Sequence, residues 1–136
     1  MSNNLVCARG DLGIHAAITL MMKNHIGCLP VVDHMRRPVG ILTKLDLVEQ
    51  LETALSPNIA RPVKQRARSV EEVMMPLALT LRERATVGQA AAMMVMEDTH
   101  HVLVVSDDGR LCGVVSTRDI VAWVVDTNLA TVRAAS

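Results

Sequence analysis

At 136 residues the chain has room for one compact body or two very small ones, and half of it is apolar, so material for a core is present. Its 14 basic and 14 acidic residues cancel and Trp123 is its one aromatic, which excludes the basic excess and the stacking platform of a typical nucleic-acid binder. Cys7, Cys28 and Cys112 lack CxxC spacing, so reduced thiols are expected rather than a disulfide framework or a metal centre. The opening "MSNN" carries no signal-peptide features, and the apolar stretches fall far short of the roughly 20 residues that span a bilayer, so a soluble cytoplasmic protein is expected.

In chain order, Leu5–Ala8 is a short apolar stretch that predicts a first strand, and Ile14–Lys23 a helix. "LPVVD", Leu29–Asp33, is rich in β-branched residues and reads as a strand. A turn through "DHMRRP" leads to a second strand at Val39–Leu42 and a closing helix from Lys44 to Leu55. Ser56–Ser69 holds two prolines and Arg61, Lys64, Arg66 and Arg68 without an acid, and reads as an exposed linker. The elements then recur. Leu77–Leu81 predicts a strand, and Val87–Met96 a helix opened by a Thr86/Gln89 capping box. "HVLVVS", His101–Ser106, is a strand followed by the hairpin signal Asp108-Gly109. Cys112–Val115 and a helix from Thr117 to about Val125 complete the set.

An offset of 73 residues lays Asn24–Leu51 on Glu97–Val124 without a gap. Val31/Val104, Val32/Val105, Arg37/Arg110, Gly40/Gly113, Asp46/Asp119 and Val48/Val121 are identical across it. The chain is one duplication of a β-α-β-β-α unit, an α+β fold. A unit of roughly 60 residues buries too little surface to stand alone, so the two copies are expected to pack about a pseudo-twofold axis. The expected division is a first unit over 1–56, a basic linker over 57–69 and a second unit over 70–136.

The most informative repeat is "GILTKLDLV" against "GVVSTRDIV", Gly40–Val48 and Gly113–Val121. Thr43 or Ser116 at a helix N-cap, with Asp46 or Asp119 three residues on, is a complete capping arrangement worth about 1 kcal/mol. The same residues also suit a nucleotide. Glycine within the strand lets a ligand or another backbone approach. A helix N-terminus with Lys44 or Arg118 beside it attracts an anion, and an aspartate can accept from ribose hydroxyls. The nine methionines, several on the two opening helices, read as core or interface filling. No phosphate-binding loop, nucleophile elbow or HExxH motif is present, so an enzyme is not expected.

The doubled G-h-h-[ST]-x-x-D-h pattern, h being apolar, resembles that of CBS domains arranged as a tandem pair, or Bateman module. "LPVVD" and "VLVVS" precede the two copies, and "VEEVMMP" (Val70–Pro76) matches the family's lead-in to the second. The first copy has no such lead-in, so trimming or completion by another chain is expected there. The resemblance implies a regulatory module binding AMP, ADP, ATP or S-adenosylmethionine in clefts between the two units, with no cofactor required. It implies sugar contacts from Thr43 with Asp46 and from Ser116 with Asp119, with Lys44 and Arg118 beside them. Gly27, Cys28 and Leu29, and His100, His101 and Val102, would line the base; Cys7, Leu79 and Thr80 would border the pockets. His25, His100 and His101 are candidates to reach phosphate. Such pairs commonly form disc-like homodimers, and a structural dimerisation module without nucleotide is the alternative expectation. An effector protein of unknown identity would read the ligand state.

Overall fold

The computed structural model describes residues 5–55, 69–76 and 78–135. These form two small sheets and four helices, a mixed α+β fold. Those within Val6–Ala78, joined by Gly109–Leu111, make one compact unit, here the first. Leu5 and those within Leu79–Asp108 and Cys112–Ser136 make the second. Among the described residues no helix is long and apolar enough to cross a membrane.

The first unit opens with β1 (Ala8–Arg9) and α1 (Ile14–Lys23). It continues with β2 (Cys28–Val32), β3 (Pro38–Thr43) and α2 (Lys44–Leu55). A single 3-10 turn, Val70–Glu72, then leads to β4 (Met75–Pro76). The sheet order is β1-β2-β3-β4, parallel between β1 and β2 and antiparallel otherwise. All five residues of β2 are buried, as expected of a β-branched strand with neighbours on both sides. Ala17 and Met21, one helical turn apart on α1, close over it with Leu42 and Val70.

The second unit repeats the order with β5 (Thr80–Arg82), α3 (Val87–Met96), β6 (His101–Val105), β7 (Leu111–Ser116) and α4 (Thr117–Ala135). The Thr86/Gln89 capping box forms in full, the Gln89 amide donating to Thr86 Oγ1 at 3.1 Å and the Thr86 amide to Gln89 Oε1 at 2.8 Å. Ala90 and Met94, the repeat partners of Ala17 and Met21, are again the buried pair.

The duplication is also written in the backbone. Among non-glycine residues His25, Arg36 and Asp98 have left-handed φ, at 53°, 65° and 50°, and Gly109 stands at 85°. Offset by 73, His25 falls on Asp98 and Arg36 on Gly109. The first pair closes the opening helices. Ile26 donates to the Met21 carbonyl (3.0 Å) and Thr99 to that of Met94 (3.0 Å), the long bond of a Schellman end. His25, a candidate phosphate contact, is therefore the exposed cap residue of α1.

Three sequence expectations are corrected. The first strand is Ala8–Arg9 rather than Leu5–Ala8, and its counterpart is Thr80–Arg82 rather than Leu77–Leu81, of which Leu77 lies outside the described residues. The extra residue of β5 has a simple source. Leu103 donates to the Leu79 carbonyl at 3.0 Å, whereas its repeat partner is Pro30, which has no N–H. The last helix runs to Ala135 rather than Val125, since neither glycine nor proline interrupts it.

The lead-in Val70–Pro76, which precedes the second copy in the chain, builds onto the first unit. Val70 and Glu71 donate to the carbonyls of Leu12 and Gly10, both at 2.9 Å, and Ser69 bridges to Gly13. β4 then pairs with Gly40 and Ile41 of β3. The rest of the expected linker lies outside the described residues.

Candidate functional site

Each unit brings its repeated motif to the corner where a strand runs into a helix. In the first unit Thr43 ends β3 and Lys44 begins α2. Asp46 Oδ2 accepts from the Thr43 amide at 2.8 Å and from the Thr43 hydroxyl at 3.0 Å, while the Asp46 amide donates to Thr43 Oγ1 at 3.3 Å. The second unit reproduces this within a tenth of an ångström. Asp119 Oδ2 accepts from the Ser116 amide at 2.8 Å and its hydroxyl at 3.0 Å, and the Asp119 amide donates to Ser116 Oγ at 3.2 Å. The helix cap expected from the sequence is thus formed in both copies. It occupies one oxygen of each carboxylate. Among the described residues no donor reaches either Oδ1.

The residues preceding the central strands come to the same corners. Cys28 lies opposite Thr43 in the β2–β3 ladder, and the Lys44 amide donates to the Gly27 carbonyl at 3.1 Å. The stem of Lys44 crosses Gly27, its Cε 3.6 Å from where a Cβ would stand. In the second unit the Thr117 amide donates to the His100 carbonyl at 2.9 Å, and Thr117 Oγ1 lies 3.4 Å from His100 Nδ1. The corner frames therefore match, while their side chains differ: Gly27, Cys28 and Lys44 stand where the other copy has His100, His101 and Thr117.

Electrostatics separate the corners further. Burial, then the charge of Asp46, pushes the Cys28 thiol up to about 12, so it stays neutral. His101 is half-buried, and burial holds its imidazole below the ordinary range, helped by His100 and opposed by Asp119. In each corner the first residue of the central strand, Cys28 or His101, lies within electrostatic reach of the aspartate that follows the next strand, Asp46 or Asp119. In the strand of the second corner, Cys112 Sγ donates to the Val104 carbonyl at 3.3 Å. Burial and then Glu83 push that thiol up to about 11, the state of a thiol engaged in packing.

The other sequence candidates fall as follows. Leu29 and Val102 have 0% exposure, so their side chains belong to the cores and only their backbones border the corners. Lys44 and Arg118 are both exposed, but Lys44 is the first residue of α2 and Arg118 the second of α4. Cys7, half-buried, precedes β1; Thr80, its repeat partner, is exposed at the start of β5, and Leu79 is half-buried before it. Gly40 meets another backbone. A Cβ there would come within 2.8 Å of the Met75 carbonyl oxygen and closer still to Met74 Sδ. Among the described residues no three His, Cys, Asp or Glu side chains gather to hold a metal ion. Sequence reasoning did not single out Thr117, which ties His100 to the start of α4; a hydroxyl at the repeat position of Lys44 was the available signal.

Comparison with known proteins agrees with this frame. The CBS domain family matches residues 1–53 and 70–126. A crystal structure of a CBS domain pair in complex with 5′-methylthioadenosine and S-adenosyl-L-methionine superposes with a TM-score of 0.78 at 27% identity, covering 93% of each chain. An L-aspartate semialdehyde sulfurtransferase of Methanocaldococcus jannaschii is 29% identical over 120 residues, 88% of this chain and 21% of that protein. The gamma-3 subunit of the 5′-AMP-activated protein kinase of Sus scrofa is 27% identical over 116 residues, 82% of this chain and 22% of that subunit. The chain thus spans about a fifth of the length of these two relatives. With the family matched over both copies of the repeat and the fold shared along nearly its whole length, the chain belongs to the CBS domain family.

Proposed function

We propose that this chain is a regulatory module, not an enzyme, that senses an adenosine-containing ligand (AMP, ADP, ATP or S-adenosylmethionine) at the corners carrying Thr43/Asp46 and Ser116/Asp119. The single observation that carries the reading is the half-used carboxylate. In both copies Oδ2 completes the cap while Oδ1 meets no donor among the described residues, at a half-buried or exposed position. A ribose diol supplies the missing donors, and the helix N-terminus with Lys44 or Arg118 favours a phosphate or carboxylate. The similarity to a CBS domain pair solved with two adenosine compounds supports that ligand class. Ligand binding then biases the module between states in proportion to its differential affinity, and an effector protein reads the outcome.

Calorimetry with AMP and S-adenosylmethionine tests this on the native protein and on Asp46→Asn and Asp119→Asn. Asparagine keeps an acceptor for the cap amide but presents an amide group to the sugar. Each substitution is expected to weaken binding at its own corner about ten- to hundredfold, the value of a hydrogen bond to a charged group, with little loss of melting temperature. Unchanged affinity in both variants reduces the aspartates to caps. Absence of binding by either compound refutes the ligand reading.

One observation favours a dimerisation role, beside the first reading or in place of it. Met22 and Val95 occupy the same repeat position on α1 and α3 and are 71% and 82% exposed. Val48 and Val121, likewise equivalent, are also exposed. Apolar side chains left outside at matching positions in both copies suit a second copy of the chain. Met22→Glu with Val95→Glu is expected to turn a homodimer into a monomer by sedimentation, with melting of each unit nearly unchanged. A native chain that already sediments as a monomer removes this role.

A further inference from the structure

The two corners share one frame, but the pair of positions that is His100 and His101 in one is Gly27 and Cys28 in the other. We infer that ligand binding at the second corner is coupled to proton uptake through His100 and His101, whereas binding at the first is not. This deepens the reading above and rests on it.

In the first unit the two positions are Gly27 and Cys28. The first has no side chain and the second is a buried thiol that stays neutral through the physiological range. Histidine is the side chain whose charge ordinarily changes between about pH 5 and 8, and neither of these two positions in the first unit carries one. In the second unit both positions are histidine. His100 is exposed, with Nδ1 3.4 Å from Thr117 Oγ1 at the mouth of α4. His101 lies behind it at the start of β6, half-buried, and the charged or titratable groups that act on it are His100 and Asp119. Burial, with the charge of His100, disfavours the protonated His101 ring, and Asp119 opposes them. An anionic ligand seated at the N-terminus of α4 adds negative charge beside both rings and favours their protonated forms. The sign follows by linkage. If the complex holds more protons than the free protein, affinity rises as pH falls. Adenosine, which carries no phosphate, gives no such uptake.

Calorimetry with AMP and with adenosine, in two buffers of different ionisation enthalpy, counts the protons taken up on binding. The native protein is compared with His101→Gln and with the double variant His100→Gly/His101→Cys, which gives the second corner the residues of the first. His100→Gln alters an exposed ring only and keeps the comparison available if the half-buried site does not tolerate change. The phosphate's own second ionisation, near pH 6, is coupled to the rings beside it, so the difference between native and variant reads the proton that the histidines and the phosphate share. Native protein is expected to take up more protons with AMP than the variants do, and to bind AMP about threefold or more tightly at about pH 6 than at about pH 7.5 relative to them. Equal uptake in native and variant proteins overturns the inference while leaving the ligand reading intact. So does uptake with adenosine that matches uptake with AMP. Failure of both compounds to bind at either pH overturns the ligand reading, and this inference with it.

Discussion

Gly40→Val is expected to destabilise the first unit by about 2–3 kcal/mol, the cost of overpacking an already filled site. Gly40 lies mid-strand in β3, opposite Val31 of β2 on one side and Pro76 of β4 on the other. A Cβ there meets Met74 Sδ and the Met75 carbonyl oxygen, the latter at 2.8 Å. The methionine side chain can rotate away. The carbonyl is fixed by the β3–β4 pairing and can retreat only if β4 lifts off. A second variant separates the two. Gly40→Ala should cost about 1–2 kcal/mol, and adding Met74→Ala should recover part of that and no more, because the backbone contact remains. Urea unfolding gives the energies, and exchange of the Met75 amide reports whether β4 has been released. If Gly40→Val melts like the native protein, the close approach is not real, and the strand glycine is open to the ligand role that the sequence first suggests for it.

That glycine shows where the sequence was legible. Among the described residues patterning gave the start of each α-helix, the four central strands and the capping box, because each rests on neighbours within a turn of helix or a hairpin. The corner motifs were legible for the same reason: hydroxyl, aspartate and helix N-terminus lie within four residues. The repeat added the rest, since the offset alone pairs Cys28 with His101, and each lies at the corner that holds its own aspartate. What failed was non-local. β1 is shortened by a proline in the strand beside it, 22 residues later, and nothing in Leu5–Ala8 announces this. The interior glycine read equally as room for a ligand or for a backbone, and only the pairing of β4 with β3 decides. Leu29 and Val102 carry the motif's spacing, yet their burial is set by α1 and α3. The lead-in "VEEVMMP" opens the second family match, yet its hydrogen bonds go to the copy before it, which no local pattern announces.

That exchange of the lead-in yields the prediction with the largest effect. Val70 has 0% exposure and closes the same cluster as Ala17, Met21, Leu29, Val31 and Leu42. Its amide donates to the Leu12 carbonyl, and its own carbonyl accepts from Val73 at 3.0 Å and Met74 at 2.8 Å, so the side chain cannot swing out without undoing the turn that delivers β4. Val70→Asp places an unpaired carboxylate among apolar side chains and is expected to cost about 4 kcal/mol or more, enough to unfold a small unit. Val70→Ala, which removes two methyl groups and keeps the turn, should cost about 1–2 kcal/mol and leave the chain folded, so exchange rates can be read residue by residue. The measurement that decides is where protection falls. Amides of β2 and β3 should exchange faster in the alanine variant, while those of β6 keep their native rates. This would make 70–76 a working part of the first unit, although it precedes the second in the chain. If β6 loses protection and β2 does not, the segment belongs with the copy it precedes, and the two units divide where the repeat alone would place the boundary, at residue 70.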